Sequence, residues 1–205
     1  MSPQPQAEEL LSFWFGPDWD RLPAHQVAER QKALWWSKDP ETDAQCRSRF
    51  EALVQAAAAN QLADWADAAR SLLALVLLLD QLPRNIYRDT PQAFGFDELA
   101  RQCTHLALAM GVEQELPAIA RVFLYLPLEH SEDLDDQHYA VQLMGALAKA
   151  AGAEDKPAFD GYADYARRHL AVIERFGRFP HRNRILGRAS SAEESEFLKQ
   201  PGSSF

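Results

Sequence analysis

A chain of 205 residues with 47% hydrophobic and 25% charged residues is an ordinary soluble globule, long enough to bury a substantial core without metal or disulfide. Its net charge of -9 excludes broad, non-specific binding to nucleic acid, which needs basic surface. The two cysteines, Cys46 and Cys103, make no ligand-type spacing and read as small hydrophobes in helices.

Nearly every segment has helical period, and no run alternates as a strand does. The stretch EELLSFWFG opens the chain and stops at Gly16-Pro17. A second helix is predicted from Ala24 to Trp36, and a third after an Asp39 N-cap with Pro40 in the first turn. A fourth covers DAARSLLALVLLLDQ and ends before Pro83. Its apolar run, residues 72–79, is too short to span a bilayer and reads as a buried helix. Thr90-Pro91 opens the next, closed by Gly111. Residues 117–126 form a short helix that Pro127 ends or kinks. Ser131 caps a helix reaching Ala151, PAFDGYADYARRHLAVIERF stops at Gly177, and Ser191 with Glu194 forms a capping box.

The expectation is one all-α domain over residues 1–205. It has eight or nine helices in antiparallel pairs, stacked as a bundle or a degenerate tetratricopeptide-like array, and flexible ends at 1–6 and 200–205. No secretory signal opens the chain, which points to a cytoplasmic protein with no membrane partner.

Three stretches carry the charge pattern. In LLLDQLPRNIYR, Asp80 follows the apolar run at the predicted C-terminal end of a helix, where the dipole disfavours a carboxylate. Arg84 and Arg88 follow at helical spacings, either as local ion pairs or with an arginine facing a ligand and Asp80 orienting it. In PLEHSEDLDDQ, Glu132 and Asp133 suit the first turn after a Ser131 cap. Glu129 and His130 precede it and are the candidate general acid and base. A metal held by Glu129, His130, Asp133 and His169 is the sharper alternative, but no Glu-x-x-His spacing supports it, and no metal or cofactor is expected.

The third stretch, ERFGRFPHRNRILGR, gathers Arg175, Arg178, Arg182, Arg184 and Arg188 with His181 and Asn183 around Gly177 and Pro180. Sixteen of the 21 basic residues are arginine, the residue suited to bidentate carboxylate or phosphate contacts. Asp80 and the EHSED acids are the expected partners, with positive charge left over for a ligand. Phe176 and Phe179 are read as core anchors.

The motifs LDQLPRNIYR, FLYLPLEHSEDLDDQ and FGRFPHRNRILGR, with LLSFWFG near the start, resemble a bacterial family catalogued as a domain of unknown function. The resemblance runs from about Leu10 to Leu198 and implies an all-helical, tetratricopeptide-like fold. It also implies that Asp80, Arg84, Asn85, Arg88, Glu129, His130, Asp133, Gln137, Arg178, His181, Asn183 and Arg188 belong to the family pattern. Leu82 and the Ser190-Ser191 pair depart from it mildly. The family brings no activity, cofactor or partner.

Three functions follow from these residues. One is a helical scaffold whose arginines hold an acidic or carboxylate-bearing peptide or protein segment. Another is a pocket or enzyme for a small carboxylate or phosphate metabolite, clamped by arginine beside Glu129 and His130. The third is internal bracing alone. Asp80, Arg84, Arg88, Asp133, Arg178, His181, Arg182, Asn183 and Arg188 are the candidate ligand-binding residues.

Overall fold

A computed structural model describes residues 4–204. Among them every regular element is helical. The ends expected to be flexible lie partly outside the described residues, at 1–3 and 205; from Pro5 onward the chain is already helical.

Helix α1 spans Pro5–Phe15 and closes on Gly16, whose φ of 84° is a conformation glycine adopts without strain. Helix α2 spans Ala24–Trp36, and α3, Pro40–Ala58, starts where Asp39 accepts from the amides of Glu41 and Thr42. Helix α5 is Asp97–Met110, α6 Ala118–Glu129, α7 Leu134–Ala150, α8 Lys156–Phe176 and α9 Ala192–Phe197. Gly111 and Gly177 end α5 and α8 in left-handed conformation, and the Ser191–Glu194 capping box starts α9.

Helix α4 departs from expectation. It runs continuously as Ala69–Val76, a π-helical turn Leu77–Gln81, and Leu82–Ile86, so it passes through Pro83. In a regular helix that proline's ring would press on the carbonyl four residues back and its missing N–H would break the ladder. The wide turn just before it moves bonding to five residues back, with Leu82 N–H on the Leu77 carbonyl. Asp80 therefore sits inside a helix, not at the dipole's negative end.

Three further boundaries differ. Pro127 lies inside α6, within its last turn, and does not end it. Residues 91–94 form only a 3-10 turn, and α5 begins at Asp97, after Gly95, a poor helix former. Asp133, not Ser131, caps α7, because its carboxylate reaches the amides of Asp135 and Asp136. The Ser131 hydroxyl accepts from Asp133 instead.

The core centres on α4 and α6. Leu72 through Leu79 are all buried, as are Val122 through Leu128, so these two helices are covered nearly all round. Helix α4 packs on α1, α3, α5 and α6, while α7 packs between α6 and α8. An aromatic group seals one side: Phe123 meets Phe15 edge-on at 5.3 Å and Trp35 at 4.5 Å, and Trp35 Nε1 donates to the Trp14 carbonyl at 2.8 Å. No described helix is long and apolar enough to cross a membrane. Burial pushes the Cys46 thiol up to about 12 and the Cys103 thiol to about 11, as fits small packed side chains and not nucleophiles.

Candidate functional site

The π turn of α4 delivers Asp80 to the middle of the protein, with no exposed surface at all. Three groups meet its carboxylate. His130 Nδ1 lies 2.7 Å from Oδ1, Arg84 Nη1 lies 3.2 Å from the same oxygen, and Gln81 Nε2 donates to Oδ2 at 2.6 Å. Burial alone would raise the Asp80 pKa, but the Arg84 charge and then His130 outweigh it and hold the carboxyl below the usual range. His130 is lowered, first by burial and then by Arg84, so at neutral pH it is an uncharged imidazole beside a carboxylate. With Nδ1 on Asp80, Nε2 is the nitrogen left to act as a base.

His130 also lines a cavity of about 300 Å³, with Phe94, Asp97, Glu98, Arg101, Pro127, Ser131, Glu132, Arg182 and Leu186. The cavity lies where the end of α6, the start of α5 and the loop after α8 meet. Its volume is at the small end of ligand sites.

Arg182 is the unusual member. Its side chain is 7% exposed, and its guanidinium is flanked by Phe179 at 4.5 Å and Phe94 at 4.8 Å. Its one carboxylate contact is long, Nη1 to Asp97 Oδ2 at 3.3 Å, and that carboxylate already accepts two bonds from Arg84, at 2.9 and 3.1 Å. Nε has no hydrogen-bond partner. Burial first, and the Arg84 charge second, lower the Arg182 pKa to about 10. It is charged at neutral pH and poorly compensated.

Behind the cavity sits a second buried pair. Glu129 Oε1 lies 3.1 Å from His169 Nδ1, and that nitrogen also lies 2.9 Å from the Tyr165 carbonyl. Burial, and then the Asp80 charge, raise Glu129 to about 8, while burial and then His130 lower His169 to about 3. Both are neutral at pH 7. The Gln137 amide anchors the turn between α6 and α7 by donating to the Glu129 and Ser131 carbonyls at 2.6 and 2.7 Å.

The remaining candidates are dispersed. Arg88 is not with Asp80: it holds Asp43 at 2.6 and 2.7 Å, and Asn85 joins it on that carboxylate at 2.9 Å, tying α4 to α3. Asp133 faces the start of its own helix. Arg178 grips Glu194 of α9 at 2.6 and 2.8 Å, and Arg175 grips Glu193. Arg188 chelates Glu132 at 2.7 and 2.9 Å and donates to Asn183 Oδ1, whose amide in turn donates to Ser190. His181 packs on Phe179, burial and then Arg182 lowering it to about 3. Arg184 is exposed. Phe179 is fully buried and Phe176 rests on Phe197, so both are anchors.

The expected pairing of the arginine loop with Asp80 and the EHSED acids thus holds only through Glu132. The capping box folds Glu193 and Glu194 back onto Arg175 and Arg178, and Asp97 takes Arg182 from 85 residues away. Nothing local marked Asp97, Phe94 or Arg101. Glu98 and Arg101 look like a plain i,i+3 surface pair, and only the fold sets Arg101 Nη1 on Asp136 at 3.0 Å. Among the described residues no three His, Cys, Asp or Glu side chains are grouped as metal ligands.

No curated protein matches the chain. A solved structure, that of the protein of unknown function ATU0120 from Agrobacterium tumefaciens, is 36% identical. It superposes with a TM-score of 0.78 over 94% of this chain and 96% of that one. The model of a family described as bacterial protein of unknown function (DUF924) matches residues 10–202, nearly the whole length, and the chain belongs to that family.

Proposed function

We propose that the protein binds a small metabolite bearing a carboxylate or phosphate in the Arg182 cavity, and that His130, held by Asp80, exchanges a proton with it. Arg182 carries this reading. A buried guanidinium is stable only when its charge and donors are met. Here the single acid is shared and distant, and Nη2, which unlike Nε is not fully buried, makes no hydrogen bond among the described residues, so an anionic oxygen from outside would complete the set there. The Asp80–His130 pair beside it has the arrangement of a general base: a buried carboxylate fixes the tautomer and the far nitrogen is left for the ligand.

A scaffold holding an acidic peptide would use Arg84, Arg88, Arg178 and Arg182 together on one open face. Arg88 and Arg178 instead serve Asp43 and Glu194, and the cavity beside Arg182 is the better support for binding.

The test is a thermal-shift screen of wild type and Arg182→Met against carboxylated and phosphorylated metabolites, with acidic peptides included. A ligand at a hundred times its dissociation constant adds about 2.7 kcal/mol, a rise of roughly 5–10 °C for a domain this size. The expected result is such a rise with a small acid in wild type and none in Arg182→Met. No rise with any small acid, or a rise that survives in Arg182→Met, refutes the proposal. His130→Asn is expected to keep binding and lose any proton exchange at the ligand.

A further inference from the structure

The cavity's other charges narrow what the acid can be, on the reading that Arg182 binds one. Two arginines and three carboxylates line the space: Arg101 and Arg182 against Asp97, Glu98 and Glu132. Arg101 spends three of its five N–H donors, with Nε and Nη2 on Glu98 and Nη1 on Asp136, and those two carboxylates meet its charge. Arg182 spends one, on a carboxylate it shares with Arg84, so it is the lining cation with more donor capacity to offer.

The acids are different. Asp97 accepts from Arg84 twice and Arg182 once; Glu98 from Arg101 twice and Gln102 once; Glu132 from Arg188 twice and the Phe179 amide once. An ionised carboxylate has about four acceptor sites, so each retains about one. The lining is one negative charge in excess, with one cation in need of a partner. A dianionic phosphate would complete Arg182 but bring two charges against three carboxylates at close range, where repulsion is poorly screened. A single carboxylate brings one, and an ammonium on the same molecule cancels it.

We infer that the ligand is a zwitterion, an amino acid or a molecule of that kind, with its carboxylate on Arg182 and its ammonium on Glu98. Glu98 is the acceptor because its side chain is 60% exposed, against 20% for Asp97 and 30% for Glu132, so an incoming ammonium gives up least water there. Phe94, Pro127 and Leu186 supply the apolar wall for the carbon skeleton.

Isothermal titration calorimetry with four probes tests this: pentanoate, 2-aminopentanoate, 5-aminopentanoate and inorganic phosphate. One of the two amino acids is expected to bind at least tenfold more tightly than pentanoate and than phosphate. That preference is expected to shrink in Glu98→Gln, an exposed substitution that leaves the core untouched. Pentanoate or phosphate binding as tightly as both amino acids overturns the zwitterion while leaving the acid-binding cavity standing. So does a preference that is undiminished in Glu98→Gln. No heat from any of the four at millimolar concentration overturns both.

Discussion

Replacing Arg182 with methionine separates a ligand-binding arginine from a bracing one, because the two roles predict different stabilities. Burial and the Arg84 charge lower the Arg182 pKa from its ordinary range to about 10. At about 1.4 kcal/mol per tenfold, keeping that charge in place costs the fold about 3 kcal/mol. In return the guanidinium makes one long hydrogen bond and two ring contacts, each worth about 0.5–2 kcal/mol. Methionine has similar length, carries no charge, and makes favourable sulfur contacts with aromatic rings. Arg182→Met should therefore lie within about 1 kcal/mol of wild type or be more stable, a change in Tm of under about 4 °C if it falls. Arg84→Met is the control. It strips fully buried Asp80 of its arginine, and breaking such a pair costs about 3–5 kcal/mol. Urea unfolding of both variants by circular dichroism gives the comparison. If Arg182→Met loses as much as Arg84→Met, Arg182 is bracing and its charge is met within the fold.

Other expectations are independent of a ligand. The fold keeps Glu129 protonated up to about 8, whereas the unfolded chain ionises near 4.5, so this group withdraws stability as pH rises between those values. Glu129→Gln cannot ionise; its stability relative to wild type should grow by about 1.4 kcal/mol per pH unit between pH 5 and 8. Urea midpoints at three pH values would show this, and a gap that does not move with pH would mean Glu129 is ionised inside. Asp43→Ala, which frees Arg88 and Asn85, should cost about 1–3 kcal/mol in the same assay while leaving ligand binding unchanged. Gly177→Ala places a Cβ in open space but at φ 66°, so its cost should be the backbone penalty alone, about 1 kcal/mol.

Helix ends with a chemical marker were readable in advance. Asp39-Pro40, Gly111, Gly177 and the Ser191–Glu194 box each act through atoms within a few residues of one another, so local sequence determines them. Pro83 and Pro127 misled for the complementary reason. A proline's local cost argues for a break, but both lie in helices whose buried faces outweigh it, and at Pro83 the π turn relieves the clash. The site was half legible. His130, Asp80 and Arg84 stood out as charges against apolar context, and Arg182 as part of a dense arginine run. Their partners did not, because an ion pair depends on where the chain returns in space. Asp97 and Glu194 had no more claim on the arginines than a dozen other acids until the helices were placed.

The π turn at Leu77–Gln81 has a consequence for chain length. Such a turn holds one residue more than regular helix geometry requires, so deleting one residue there would let the ladder close normally. The wide turn covers with five residues about the rotation and rise that a regular helix covers with four, so everything beyond would stay in register. Arg84 would keep Asp97 and Arg88 would keep Asp43, while the residues of the turn itself, Asp80 among them, would be re-aimed. A relative one residue shorter in this stretch would keep the fold and those pairs but lose the turn that brings Asp80 to His130. A gap at this point of an alignment thus serves as a marker that sorts family members with the Asp80–His130 pair from those without it.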